Sequence, residues 1–318
     1  MKPILTIIFP FLLCFSLFSQ SKTGSALNDL NLYAEINNRE LRLIEYKDND
    51  ESLRIKLNQL DIINKSRRKY RLPPVKFDIL ASRVANKNCR EAAENNYISH
   101  WNLLGEKPYH RYAFAGGYDH VAENVYGEWT TGEFELSPSE TAKKLESGHD
   151  SFMAEKAPND GHKKNIINKN HNYVGIGFFS SEKQFRYNEE FIDRYLEFED
   201  IPAKLKINET ANLTIRTDGS SYLFFLVAFR EKFPAPMTPS QLKKTGSYDD
   251  FSKEEYLKMT GWELAKRRNN NIYHIPVKFS KEGLYYIHIY IDKKEITKPV
   301  SFDTKGKTEG SGIVIRVE

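Results

Sequence analysis

The chain reads as an α+β protein, with a first half built mainly from helices and a β-rich second half. Three observations predict this. Apolar residues recur at helical spacing between Leu53 and Ala92. Ser137-Pro138-Ser139-Glu140 is a helix start signal, with a cap, a proline at the first position and a capping box. Past Leu196 the texture changes to short runs of β-branched and aromatic residues separated by polar turns. For 318 residues, typical domain sizes suggest about two domains.

Composition narrows the class. With 28% charged, 40% hydrophobic and 13% aromatic residues, the chain can bury real cores, which excludes wholesale disorder. Two cysteines exclude a disulfide scaffold. The net charge of +4 is weak and interspersed, with no basic block carrying interleaved aromatics. Nucleic acid is therefore not an expected partner. Residues 1–19 read as a secretory signal peptide. Lys2 precedes the apolar run Ile4–Phe18, and small residues follow. That run falls short of the about 20 residues a membrane span needs, and no later run reaches that length. Cleavage near Ser19 removes Cys14 and leaves Cys89. The expected location is secreted, periplasmic or at the cell surface.

The elements follow in order. Residues 20–52 are polar, without a sustained period, and read as a tail or loosely docked leader. Leu53, Leu57, Leu60 and Ile63 share one helical face, and Pro73-Pro74 stops that helix. Asp78 caps a second helix, from about Ile79 to Asn96, that buries Leu80, Ala81, Val84, Ala85, Cys89 and Ala92. A short helix is expected around Tyr109–Ala115 and a strand at Val121–Tyr126. The helix opened by Ser137 runs towards Met153. Asn159-Asp160-Gly161-His162 turns into a helical piece, Lys163–Ile167. Tyr173–Phe179 and Gln184–Phe191 then pair as a hairpin. In the second half, Ala203–Ile207, Leu213–Arg216, Tyr222–Arg230, Ile272–Phe279, Leu284–Ile291, Val300–Phe302 and Gly312–Val317 read as strands of a small sandwich. Lys253–Arg267 reads as a helix. Residues Tyr285–Asp292 alternate, with the face of Tyr286, His288 and Tyr290 the wetter one.

Four side chains stand out by context: His100 at the end of the second helix, Glu123 in Ala122-Glu123-Asn124, Glu155 after the third helix, and His162 in Gly161-His162-Lys163. No pair shows a local metal spacing, so each alone is a weak signal. His110 and His120 lie near the loop and read as solvated. His149 is expected to face solvent, and His274 and His288 to lie on the strand surface.

The order of these segments carries a resemblance. Leu72-Pro73-Pro74-Val75-Lys76-Phe77-Asp78, Ser99-His100, Ala122-Glu123-Asn124, Gly161-His162-Lys163-Lys164-Asn165-Ile166-Ile167 and Val174-Gly175-Ile176-Gly177 occur in that sequence. Together they resemble the CAP superfamily of cysteine-rich secretory, antigen 5 and pathogenesis-related proteins. With one cysteine left after cleavage, the chain resembles the bacterial, SCP-like branch. The resemblance spans about residues 53–195. It implies an α-β-α sandwich over 53–197; the β-rich half, 200–318, resembles no named family and reads from its strand pattern as a separate domain. The resemblance also implies a central cleft where His100, Glu123, Glu155 and His162 converge. Glu155 carries over less directly, because Phe152 stands where many relatives have tryptophan.

That constellation has two chemical readings. Neutral imidazoles, His100 and His162, can hold zinc or another divalent cation, with Glu123 or Glu155 as general base for a metal-dependent peptidase or cell-wall hydrolase. Alternatively, the cleft binds an extracellular ligand, a cell-wall glycan, lipid or peptide, without turnover. Fold does not decide between them, and the binding module is the favoured reading. A further alternative places an adhesion role in the β-rich domain.

Overall fold

The polar segment ahead of the first expected helix is already structured. A helix, α1 (Leu30–Arg39), precedes α2 (Asp50–Lys69). The structure, a computed structural model, describes residues 25–134, 136–249, 252–301 and 303–318. The expected signal peptide, 1–19, lies outside the described residues. The expectation of a loosely docked leader over 20–52 gives way, over the described residues from 25 on, to a docked one. Leu27, Leu30, Tyr33 and Ala34 pack on the core of the first half, and buried charges hold the segment as well. Arg83 donates to the carbonyls of Asn37, Glu40 and Arg42 at 2.6–2.9 Å. Lys56, fully buried, pairs with Asp48 at 2.6 Å and donates to Ser82 and Asn86.

Two of the remaining helices of the first half, the one Asp78 caps and the one Ser137 opens, begin where their caps predict. Asp78 accepts the Ala81 amide at the start of α3 (Ile79–Glu94). After α4 (Pro108–Phe114), Ser137 and Glu140 form the capping box of α5 (Pro138–Ala154), and α6 (Gly161–Ile166) follows. The first sheet comprises β1 (Lys76–Phe77), β2 (His120–Trp129), β3 (Tyr173–Ser180) and β4 (Gln184–Asp193) in the order β1-β3-β4-β2. Only the β1–β3 pair is parallel. Helix α3 covers one face. On the other, α2 and α5 bury Leu57, Leu60, Ile63, Leu145 and Phe152 against Val174, Ile176 and Phe191. This is the α-β-α arrangement. Gly175 and Gly177 let α3 sit directly on β3: a Cβ there would lie 2.3 Å from backbone atoms of Ala81 and Ala85 respectively. Cys89 is fully buried in α3, and burial pushes its thiol far up.

The second half is a two-sheet sandwich. Strands β5 (Glu197–Glu199), β6 (Lys204–Leu205), β7 (Thr210–Arg216) and β8 (Tyr222–Glu231) lead to a short helix, α7 (Pro239–Leu242). Then come β9 (Glu255–Thr260), α8 (Gly261–Ala265), β10 (Arg268–Asn269) and β11 (Ile272–Lys278). The chain ends with β12 (Gly283–Asp292), β13 (Thr308–Glu309) and β14 (Ile313–Val317). One sheet has the order β10-β11-β7-β5, the other β6-β14-β12-β8-β9 with β13 beside β12. Leu213, Ile215, Tyr273 and Ile275 of the first sheet pack on Leu226, Tyr285, Ile287 and Ile315 of the second.

Three expectations for this half change. Lys253–Arg267 is not one helix: Glu255–Thr260 is a strand, because it satisfies the edge of β8 that would otherwise lack a partner. Residues 300–301 are not in a strand, and 302 lies outside the described residues. The face of β12 expected to be wetter is dry as far as His288, while Tyr290 and Asp292 stay half-buried. Tyr286 and His288 are buried, since that face packs on the first half: Leu284, Tyr286 and Val314 join Leu80, Val84, Tyr109 and Tyr112 in one cluster. Tyr109 stacks on Tyr286 with ring centroids 4.3 Å apart. Its hydroxyl donates to Glu231, whose carboxyl, although raised by burial, is drawn down to about 2 chiefly by His110. The two halves thus share a core.

The closeness of α3 to β3 has a direct test. Gly177→Ala forces a methyl against the Ala85 backbone and is expected to lower stability by about 1–3 kcal/mol in urea unfolding. An unchanged midpoint would show that helix and strand do not touch there.

Candidate functional site

His100 follows the turn that ends α3, and two contacts fix it. Its carbonyl accepts Arg111 Nη1 at 2.7 Å, and its Nδ1 lies 2.9 Å from Glu123 Oε1. Glu123 sits mid-strand in β2, fully buried. Its second oxygen is occupied too, by Arg111 Nη2 and by Asn188 Nδ2 at 3.1 Å. Burial would raise this carboxyl, but Arg111, and then His100, outweigh it and hold it below the usual range. Directly across the ladder stands Glu190. Also buried, 3.7 Å from Arg111, it is pushed well above its ordinary value by burial and by the Glu123 charge. One guanidinium serves two carboxyls, so one ionises and the other stays protonated.

The other histidine is built the same way. Glu155 is the C-cap residue of α5. Its Oε1 lies 2.5 Å from His162 Nδ1, and its Oε2 accepts the backbone N–H of His162 at 3.0 Å. Phe152 packs against the His162 ring, centroids 4.7 Å apart. A buried strut supports the loop: Asn124 donates to the His162 carbonyl and to Glu189. Glu189 in turn meets His149 Nδ1 at 2.8 Å, and His149 Nε2 meets Ser66 at 2.9 Å.

All four expected residues therefore come together, with the His100 and His162 rings 6.3 Å apart. Their roles differ from a shared ligand shell. Each carboxylate faces an imidazole Nδ1, which leaves the Nε2 edges for a ligand. Among the described residues no three His, Cys, Asp or Glu side chains group to hold a metal ion. The donor set fits a cation only through two imidazoles oriented by carboxylates, half of the about four ligands zinc takes.

Other histidines depart from expectation. His149 is fully buried rather than solvent-facing, because α5 packs against α2 over it. His110 is buried on Glu231 and His120 pairs with Asp193 at 3.1 Å, so neither is a free loop residue. His288 is buried beside Glu309, whereas His274 is exposed as expected. Sequence reasoning missed Arg111, Glu190 and the Glu189 strut. A signal existed: Asn188-Glu189-Glu190 lies mid-strand between Tyr187 and Phe191, and polar residues in a strand covered on both faces need partners.

Comparison with known proteins fits this geometry. Residues 60–191 match the cysteine-rich secretory protein family, CAP. That segment is a CAP domain, and the chain is α+β with a β-rich C-terminal region. Bacterial proteins are among the solved structures it resembles. One is an extracellular protein containing an SCP domain from Bacillus anthracis str. Ames, 20% identical, TM-score 0.34, covering 46% of this chain and 43% of that one. Another is an outer surface protein from Borrelia burgdorferi, 18% identical, TM-score 0.34, covering 42% and 89%. A third is a cysteine-rich secretory protein from Staphylococcus aureus subsp. aureus Mu50, 20% identical, TM-score 0.28, covering 43% and 39%. The chain thus spans under half of the first and third. No curated protein matches. No helix among the described residues is long and apolar enough to cross a membrane.

The buried acid pair predicts a pH dependence. Folding holds a proton on Glu190 above pH 4.5, its ordinary value, so that group costs stability increasingly as pH rises. Glu190→Gln is expected to match wild type in urea unfolding near pH 4 and to exceed it at pH 8; the reverse trend would contradict a neutral Glu190. Glu123→Gln is expected to cost less than the about 3–5 kcal/mol of an orphaned buried charge, because Glu190 can ionise beside Arg111. Adding Glu190→Gln restores the full loss.

Proposed function

We propose that the CAP domain is an exported binding module whose His100–His162 edge takes a polar extracellular ligand, a cell-envelope glycan. One observation supports binding over turnover more than any other. Glu123, the obvious general base, has both oxygens occupied and a lowered proton affinity, which makes it a poor base. The imidazole Nε2 atoms remain as hydrogen-bond partners for hydroxyl and amide groups. The export route proposed is the N-terminal segment 1–19, and the extracellular and outer-surface relatives agree with it.

A zinc ion is an optional part of the same site. Two imidazoles would hold it, and it would supply a Lewis acid centre towards a bound ligand. A hydrolytic reading has one observation of its own: the Glu155–His162 pair is a carboxylate-oriented imidazole, the arrangement that serves as a base in hydrolases.

Sedimentation with purified peptidoglycan tests the choice. Wild-type protein is expected to co-sediment, and His100→Ala and His162→Ala to lose at least tenfold in affinity. Soluble fragments that vanish in Glu155→Gln would establish the hydrolase instead. In calorimetry, zinc alone is expected to bind wild type and fail with either alanine variant. Zinc binding unchanged in both variants would exclude the metal.

A further inference from the structure

The segment between β8 and β9 leaves its own sheet and crosses the CAP domain. Its anchors lie on both sides of His100. The Met237 amide donates to the Leu103 carbonyl at 2.8 Å. Leu242 of α7 is fully buried among Ala92, Tyr97 and Trp101. Thr245 Oγ1 lies 2.6 Å from Ser99 Oγ, and Lys107 Nζ donates to the Asp249 carbonyl at 3.2 Å. Gly105 marks how near the backbones come. It has φ +75°, and a Cβ there would lie 2.2 Å from the Ala235 carbonyl oxygen. Only glycine accommodates both conditions.

This anchoring delivers Tyr248 to the site. Its hydroxyl accepts the Glu123 amide at 3.3 Å. Its ring meets the His100 ring with centroids 5.0 Å apart at 60°, and the Trp101 ring at 6.4 Å and 86°. Tyr248 and Trp101 are both half-buried, so each keeps part of its side chain accessible.

We propose that this segment is a fixed wall of the cleft and that Tyr248 is its specificity-determining residue. A site formed by the CAP domain alone would lack this side. The wall narrows the His100 end and offers an aromatic surface next to hydrogen-bonding imidazoles. That pairing suits a pyranose ring, which has apolar C–H faces and a polar rim. Aromatic residues with an apolar body and a polar tip serve such mixed surfaces. The choice of a sugar rests on the ligand-binding reading above; the wall itself does not.

Two measurements on the full chain separate these claims. Diethyl pyrocarbonate modification, followed histidine by histidine in mass spectrometry, tests the wall without any ligand. His100 is expected to react at least fivefold faster in Tyr248→Ala, and within twofold of wild type in Tyr248→Phe. His162 is expected to keep one rate throughout. An unchanged His100 rate in Tyr248→Ala, or an equal rise at His162, would overturn the wall. Calorimetry with the tetramer of N-acetylglucosamine tests specificity. Similar affinity in wild type and Tyr248→Phe, with at least tenfold loss in Tyr248→Ala, is expected. Equal affinity in all three would overturn the role of Tyr248. No binding to wild type would overturn the glycan reading, while the histidine rates still decide the wall.

Discussion

Arg111 is the group on which the site depends. Almost without access to water, it bonds the His100 carbonyl, the Glu106 carbonyl and the Glu123 carboxylate, and it stands beside Glu190. A buried guanidinium is expensive unless its donors are matched, so its partners are effectively chosen for it. Here they come from the loop after α3 and from β2, with Glu190 of β4 close by. Helix α4 carries Arg111 into place, and α4 is itself held from outside by the Tyr109–Tyr286 stack. The chain of dependence thus runs from the β-rich half, through α4, to the His100 imidazole.

The same economy divides the acids by role. Glu123 is charged and fully engaged, Glu190 neutral, Glu155 an orienting partner, Glu189 a strut. Of these, only Glu190 has neither carboxyl oxygen hydrogen-bonded, and it stays buried beside Arg111. A cleft so arranged presents fixed imidazole edges and an aromatic wall. Preorganised edges of this kind favour recognition, because little ordering is left to the moment of binding.

Much of this was legible in the sequence because it is local. The caps at Asp78 and Ser137, the buried face from Leu53 to Ile63, and the buried position of Cys89 follow from spacing alone. His100, Glu123 and His162 were found because motif order adds information that spacing lacks. Beyond two element assignments in the second half, the misses are contacts between distant segments. The leader docks through Leu27, Leu30 and Tyr33 on a core built by later elements, and through Arg83 and Lys56, charges that a hydrophobic period ignores. His149 depends on what α2 places over it. The drying of the β12 face needs the other half of the chain. Tyr248 lies 125 residues from the Glu123 amide it meets, and nothing in its neighbourhood announces that.

The central claim is that carboxylates fix both imidazoles through Nδ1 and leave Nε2 for the ligand. Nitrogen-15 spectroscopy of histidine-labelled protein near pH 8 reads this directly, since the two ring nitrogens give distinct shifts in each tautomer. The account predicts the Nδ1–H tautomer for both His100 and His162. An Nε2–H tautomer at either ring would contradict it, because that edge would then be a donor turned away from the role assigned here.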